Sequence, residues 1–198
     1  MISEWALPDG ATPLDPEESE GLIPRHIATR AELNEAEEAN IAQGFAWALR
    51  ATRRRPVLSD DFAYELHRRM FERVWEWAGR TRTTNKNIGI DKFGIRVAVR
   101  DLMADAAVWI DGEVYPPEEI AVRLHHRLVA IHPFVNGNGR HARLMADLCL
   151  LKEKLRPLPW GRGRGSLVAT GELRAEYISA LRAADAGNIA PLLVFARS

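Results

Sequence analysis

Twelve consecutive residues carry the densest chemistry in the chain: His132-Pro133-Phe134-Val135-Asn136-Gly137-Asn138-Gly139-Arg140-His141-Ala142-Arg143. Histidine is the side chain best suited to accept a hydroxyl proton near neutral pH. Pro133 disfavours helical dihedrals at His132, so a preceding helix is expected to end there with the imidazole at its mouth. Gly137 and Gly139 permit dihedrals that other residues resist, which lets successive N–H groups converge on an anion. A helix starting at this turn adds the positive end of its dipole. Arg140 and Arg143, three apart, share a face of the first turn and can fork onto phosphate oxygens, and Asn138 can add an amide donor. Such a set neutralises a polyphosphate while His132 activates an attacking hydroxyl. That is the division of labour in phosphoryl or nucleotidyl transfer.

The elements that hold this segment read as helices. Thr29 and Glu32 have capping-box spacing ahead of an apolar stripe of Ile41, Phe45, Ala48 and Leu49. Ser59, with Asp60 and Asp61 behind it, starts a second helix expected to reach Trp77. The stretch from Thr81 to Val99 is rich in Thr, Asn, Gly and β-branched residues and reads as a short hairpin or flap. Helices are expected again near Asp101 to Ile110 and from Pro117 to Ile131. Another runs from the Gly-Asn-Gly turn, with Leu144, Leu148, Leu151 and Leu155 at helical spacing. Thr170 is read as the cap of a last helix carrying Leu173, Tyr177 and Leu181, stopped by Gly187.

Composition narrows the function classes. The 198 residues suit one domain with an N-terminal arm, and 46% hydrophobic content supplies a core. Lys+Arg and Asp+Glu both number 27, so no global charge steers the chain to nucleic acid or anionic lipid. The lone Cys149 excludes an internal disulfide and, among leucines, reads as core. No zinc spacing such as His-Glu-x-x-His occurs. His125 and His126 read as packed or capping residues, Arg53 to Arg55 as a solvated helix end, and Gly161 to Gly165 as a loop. The first residues lack a basic flank or apolar stretch, and the expected compartment is the cytoplasm.

The segment from His132 to Arg143 resembles the signature of the Fic (filamentation induced by cyclic AMP) family, His-Pro-Phe-x-Asp/Glu-Gly-Asn-Gly-Arg-x-x-Arg. Leu66-His67 and Trp77-Ala78-Gly79-Arg80 resemble the family's helix and Trp-Ala-Gly turn, and Tyr177 to Phe195 resembles its closing helices. The resemblance runs from Ser59 to the C-terminus, which divides the chain into an arm and helix over 1–58 and a core over 59–198. It implies an all-α Fic fold with a small β-hairpin flap. It also implies transfer of AMP from ATP to a Ser, Thr or Tyr hydroxyl of a target protein (AMPylation). His132 would be the base. Gly137, Asn138, Gly139, Arg140 and Arg143 would hold the phosphates, and Ile88, Gly89, Ile90 and Phe93 would dock the target by strand addition.

One departure bears on metal use. Asn136 stands where the family has an acidic residue that helps to hold Mg²⁺, so the metal is expected to be weakly held. The alternatives are phosphate or phosphocholine transfer on the same scaffold, or a nucleotide-binding module with little turnover. The family's inhibitory Ser/Thr-x-x-x-Glu-Gly/Asn pattern is absent, so a glutamate of the arm or of the Glu32 to Glu38 helix, or a small inhibitory protein, is expected to act on Arg143. The arm, with Thr12-Pro13-Leu14-Asp15 and Glu20 to Pro24, resembles the subgroup called mobile mystery protein B, which implies a helix-turn-helix companion.

Overall fold

The computed structural model describes residues 19–165, 167 and 171–198. Among them lie helices α1 (Arg30–Ala51), α2 (Asp60–Phe71), α3 (Ile95–Asp111), α4 (Pro117–Ile131), α5 (Asn138–Lys152), α6 (Glu172–Asp185) and α7 (Ala190–Ala196). β structure among the described residues is limited to isolated bridges, Leu22 with Trp75 and Thr81 with Phe134. The architecture is all-α. No helix of the described residues is long and apolar enough to cross a membrane.

Local chemistry starts the helices where spacing predicts. The Thr29 hydroxyl accepts the Glu32 N–H at 3.2 Å, and the Glu32 carboxylate accepts the Thr29 N–H at 2.9 Å. Ser59 accepts the Phe62 N–H at 3.2 Å and starts α2. Thr170 and the segment Thr12 to Asp15 lie outside the described residues, and the residue preceding α6 is Gly171.

α5 is buried nearly all round, from His141 and Ala142 through Met145 and Leu148 to Leu150. It lies between two apolar clusters, one built with Phe62, Leu66 and Phe71 of α2 and the other with Leu173 and Tyr177 of α6. Of the expected leucine stripe only Leu148 is fully buried, and Leu155 is exposed beyond the helix end. A helix enclosed on both sides shows no single apolar face.

Three further expectations are corrected by packing. The buried positions of α1 are Leu33, Glu37, Asn40, Gly44 and Ala48, while Ile41 and Phe45 are half-buried and Leu49 is exposed. The seam carries polar groups because they are bonded: Asn40 donates to the Arg69 carbonyl at 3.0 Å and accepts the Arg73 N–H at 2.9 Å. α2 ends at Phe71, not Trp77, because the main chain beyond it pairs with the arm. The Ile23 N–H reaches the Val74 carbonyl, and the Glu76 N–H the Gly21 carbonyl, both at 2.9 Å.

The expected hairpin over Thr81 to Val99 is a loop that leads through a 3₁₀ turn, Lys92–Gly94, into α3, which starts six residues earlier than expected. Side chains occupy the groups a ladder would need. Lys92 Nζ donates to the Thr83 carbonyl at 2.8 Å, Arg82 donates to Thr84 and Ile90, and Asn85 bridges the Asp91 carboxylate and the Lys92 N–H.

Replacing Asn40 by alanine removes the partner of the Arg69 carbonyl and of the Arg73 N–H, in bonds half-buried at the α1–α2 contact. The expected loss is about 1–3 kcal/mol of unfolding free energy, read by urea or thermal unfolding. An unchanged midpoint would show that water reaches both groups.

Candidate active site

The twelve-residue segment forms the reversal from α4 to α5. His132 ends α4 in the left-handed region (φ 53°, ψ 61°), with its N–H bonded to the Leu128 carbonyl at 3.1 Å. Phe134 lies beneath it, stacked on the His67 ring with centroids 3.6 Å apart. The Asn138 side chain closes the turn from both sides: its oxygen accepts the Phe134 N–H and its nitrogen donates to the Phe134 carbonyl, each at 2.9 Å. The side-chain amide expected to reach phosphate is therefore engaged within the loop.

His67 supports the same reversal from α2. Its Nδ1 accepts the Gly79 N–H at 3.0 Å, so Nε2 carries the proton and donates to the Asn136 carbonyl at 3.0 Å. Gly137 has φ 77°, and a Cβ there would meet the Phe71 ring at 2.5 Å. Gly139 has no such backbone. It belongs to the first turn of α5, where a Cβ would find its nearest neighbours, Arg143 and the Tyr177 hydroxyl, at 3.6 and 3.7 Å. What Gly139 leaves is room.

A cleft of about 580 Å³ opens over this turn, lined by His132, Asn136 to Arg140, and Arg143, with Ile88 and Gly89 of the loop on the other side. That volume is ordinary for a nucleotide-sized ligand. The first N–H to find a helical partner is that of His141, which bonds the Gly137 carbonyl at 2.9 Å; the N–H groups of Asn138, Gly139 and Arg140 precede it at the helix start. Ile90 lies beside Gly89, whereas Phe93, 85% exposed, sits outside the cleft on the 3₁₀ turn.

The two arginines are held differently. Arg140 pairs with the buried Glu37 of α1 at 2.6 Å and lies over the Phe71 ring. Glu37 also accepts the Trp75 indole N–H at 2.7 Å and does not line the cleft. The glutamate expected to act on Arg143 from this helix thus meets the other arginine, from behind. The Arg143 guanidinium lies over the Tyr177 ring, 5.7 Å from its centroid, and the Tyr177 hydroxyl is hydrogen-bonded to His125 Nε2 at 3.0 Å.

His132 is 5% exposed. Burial first, then the nearby charges of Arg82 and Lys86, push its pKa down to about 4, against a smaller opposing effect of the Val129 carbonyl. The imidazole is therefore neutral, as a proton acceptor must be.

The donor set does not build a Mg²⁺ site. Asn136 offers one neutral oxygen, which already accepts the Gly137 N–H at 2.6 Å. Among the described residues no group of three His, Cys, Asp or Glu side chains could hold a metal ion. The carboxylate on the cleft wall, Asp185, is bonded to His126 at 2.8 Å. Mg²⁺ is ordinarily bound through carboxylates, substrate phosphates and water. The turn itself supplies no carboxylate, and the one on the cleft wall is engaged by His126.

The Fic/DOC family profile matches residues 57–150, which span α2 to α5 and the whole reversal. The chain contains a Fic/DOC family domain. Proteins named protein adenylyltransferase fic-1 from Caenorhabditis briggsae and Caenorhabditis elegans are each 31% identical over 140 residues, covering 69% of this chain and 26% of theirs. The chain thus spans about a quarter of the length of these curated relatives. The solved structure of Fic-1 (residues 134–508) from C. elegans superposes with a TM-score of 0.61 at 27% identity, covering 91% of this chain and 52% of that one. BepC from Bartonella tribocorum, solved with bound AMPPNP, shares the fold at 17% identity and a TM-score of 0.60, covering 92% and 97%.

The Fic motif's own residues were evident from their types. Its supports were only partly legible: the sequence points to His67 and Tyr177 by resemblance and to a glutamate of the Glu32 to Glu38 helix, but not to the bonds they make, and Arg82 carries no signal.

Four buried histidines make the domain acid-sensitive. Burial lowers the pKa of His67 and His125 well below 6.5, and that of His132 and His141 to about 4. Below about pH 6.5 the unfolded chain binds protons that the folded one refuses, at His132 and His141 until about pH 4. Stability therefore falls as pH drops through that window, by at most about 1.4 kcal/mol per pH unit for each histidine. The melting temperature is expected to be level above pH 7 and to decline steadily from pH 6.5 to 4.5. A level curve down to pH 4.5 contradicts the neutral, buried rings.

Proposed function

We propose that the Fic domain transfers AMP from ATP to a Ser, Thr or Tyr hydroxyl of a target protein. The observation that carries this reading is the convergence of the His132 imidazole, the free end of α5 and the Arg140 and Arg143 guanidinium groups on one cleft. The relatives named adenylyltransferase support it. The target hydroxyl gives its proton to His132 as its oxygen bonds to the α-phosphorus. The bond from that phosphorus to the bridging oxygen breaks, and pyrophosphate leaves. The N–H groups of Asn138, Gly139 and Arg140 face the charge on the phosphate tail, reinforced by the helix dipole. Arg143, oriented by Tyr177, adds a forked donor. Ile88 and Gly89 offer loop main chain to the target beside His132, whereas both main-chain groups of Ile90 are engaged by Ile131 and Arg82. The mobile mystery protein B reading adds a helix-turn-helix companion as a partner, which co-purification would reveal.

Extract proteins incubated with the protein and ATP are expected to gain label from the α position and none from the γ position. Label from γ would establish phosphate transfer in its place. His132→Ala is expected to abolish labelling while nucleotide affinity stays within a fewfold, and Arg143→Ala to weaken that affinity about tenfold or more. Because the base must be neutral, the acid limb of the pH–rate profile is expected near pH 4. A limb at pH 6.5 would place His132 in water. Asn136→Asp restores a carboxylate at the turn and is expected to raise turnover most at low Mg²⁺ concentration. Equal stimulation at every Mg²⁺ level would separate Asn136 from metal use.

A further inference from the structure

Arg82 is a buried charge that the transfer chemistry does not use. It is 2% exposed, and its hydrogen bonds run to main-chain carbonyls, apart from a longer one to Asn85 Oδ1 at 3.5 Å. Nε donates to the His132 carbonyl at 2.8 Å, one terminal nitrogen to that of Thr84 at 2.8 Å, and the other to that of Ile90. Its own N–H donates to the Pro133 carbonyl at 3.0 Å. Desolvating a guanidinium is costly, and an apolar side chain would fill the same volume more cheaply. What an apolar side chain lacks is the ability to join three carbonyls from separate stretches of chain. Two of these lie near the two ends of the loop from 83 to 91, and the third is the carbonyl of the histidine itself.

The loop touches His132 by a second route. Gly89 has φ +99°, and a Cβ there would lie 2.6 Å from His132 Cβ and 2.9 Å from the Arg82 guanidinium. The Ile90 N–H approaches the Ile131 carbonyl at 3.4 Å. Asp91, held by Asn85 and by the Phe93 N–H, supplies the negative charge nearby.

We propose that Arg82 is a positioning residue: it ties both ends of the 83–91 loop to the His132 turn, so that a target segment laid on the loop meets the imidazole in a set register. This rests on the transfer reading above. A displacement near 1 Å between a base and its substrate hydroxyl costs about a hundredfold in rate, so a loop and a base carried by one clamp keep that distance constant.

The test uses Arg82→Lys, which keeps the charge and loses the fork, and Gly89→Ala, which strains the same contact from the loop side. Each is compared with the intact protein for binding of a non-hydrolysable ATP analogue, labelling of extract proteins from ATP, and tryptic cleavage after Lys86. Labelling is expected to fall at least about tenfold and cleavage to speed about tenfold, with analogue affinity within about twofold. Affinity falling in parallel with labelling would overturn the proposal in favour of a general structural role. Unchanged labelling and cleavage would overturn it outright. If Arg82→Lys fails to fold, Gly89→Ala decides by the same measures. If the intact protein labels nothing, the transfer reading fails. The proposal is then decided on nucleotide-free protein by cleavage after Lys86 together with the His132 imidazole resonance. Faster cleavage and a shifted resonance in both variants sustain the clamp, and their absence removes it.

Discussion

Turning the chain from α4 into α5 buries main chain, and its carbonyl and N–H groups must find partners without water. The reversal meets that demand with side chains from three places. Asn138 takes both polar groups of Phe134, His67 takes the Asn136 carbonyl, and Arg82 takes the His132 carbonyl. Each partner is itself buried, so none can leave without exposing an unsatisfied group. This is why the turn can hold His132 in a left-handed conformation that a non-glycine residue otherwise resists. The cleft over the turn inherits its shape from these bonds.

The electrostatics follow from the same burial. Removing water from His132 lowers its proton affinity, and the Arg82 charge lowers it further. The arginines that line the cleft place positive charge around a space in which burial keeps the imidazole neutral. They are not equally free: Glu37 anchors Arg140 from behind, whereas Arg143 rests on Tyr177, which His125 orients in turn. One cation is thus set by α1 and the other by α6, two elements that flank the central α4–α5 pair. Packing therefore decides the geometry of charge.

Helix starts were legible in the sequence because caps are local: Thr29 with Glu32, and Ser59 with Phe62, interact across three residues. Hydrophobic faces were legible only where a helix has one face. α5 has two buried sides, and the seam of α1 carries Glu37 and Asn40, which no hydrophobic pattern selects. The loop over 83–91 misled because Thr, Ile and Gly suit a hairpin, yet Arg82 and Lys92 compete for its carbonyls. Such competition is settled by what lies above and below the chain.

The sequence by itself determined which groups could do chemistry here: a base before a proline, glycines before a helix, and two guanidinium groups one turn apart. Those relations span at most twelve residues and follow from bond geometry. Only the tertiary structure decided that Asn138 serves the loop, that Glu37 meets Arg140 across 103 residues, and that Arg82 clamps the loop to His132 across 50. Partners so distant are chosen by the packing of whole helices, where a buried polar group must take whichever complementary atom the fold brings within 3 Å.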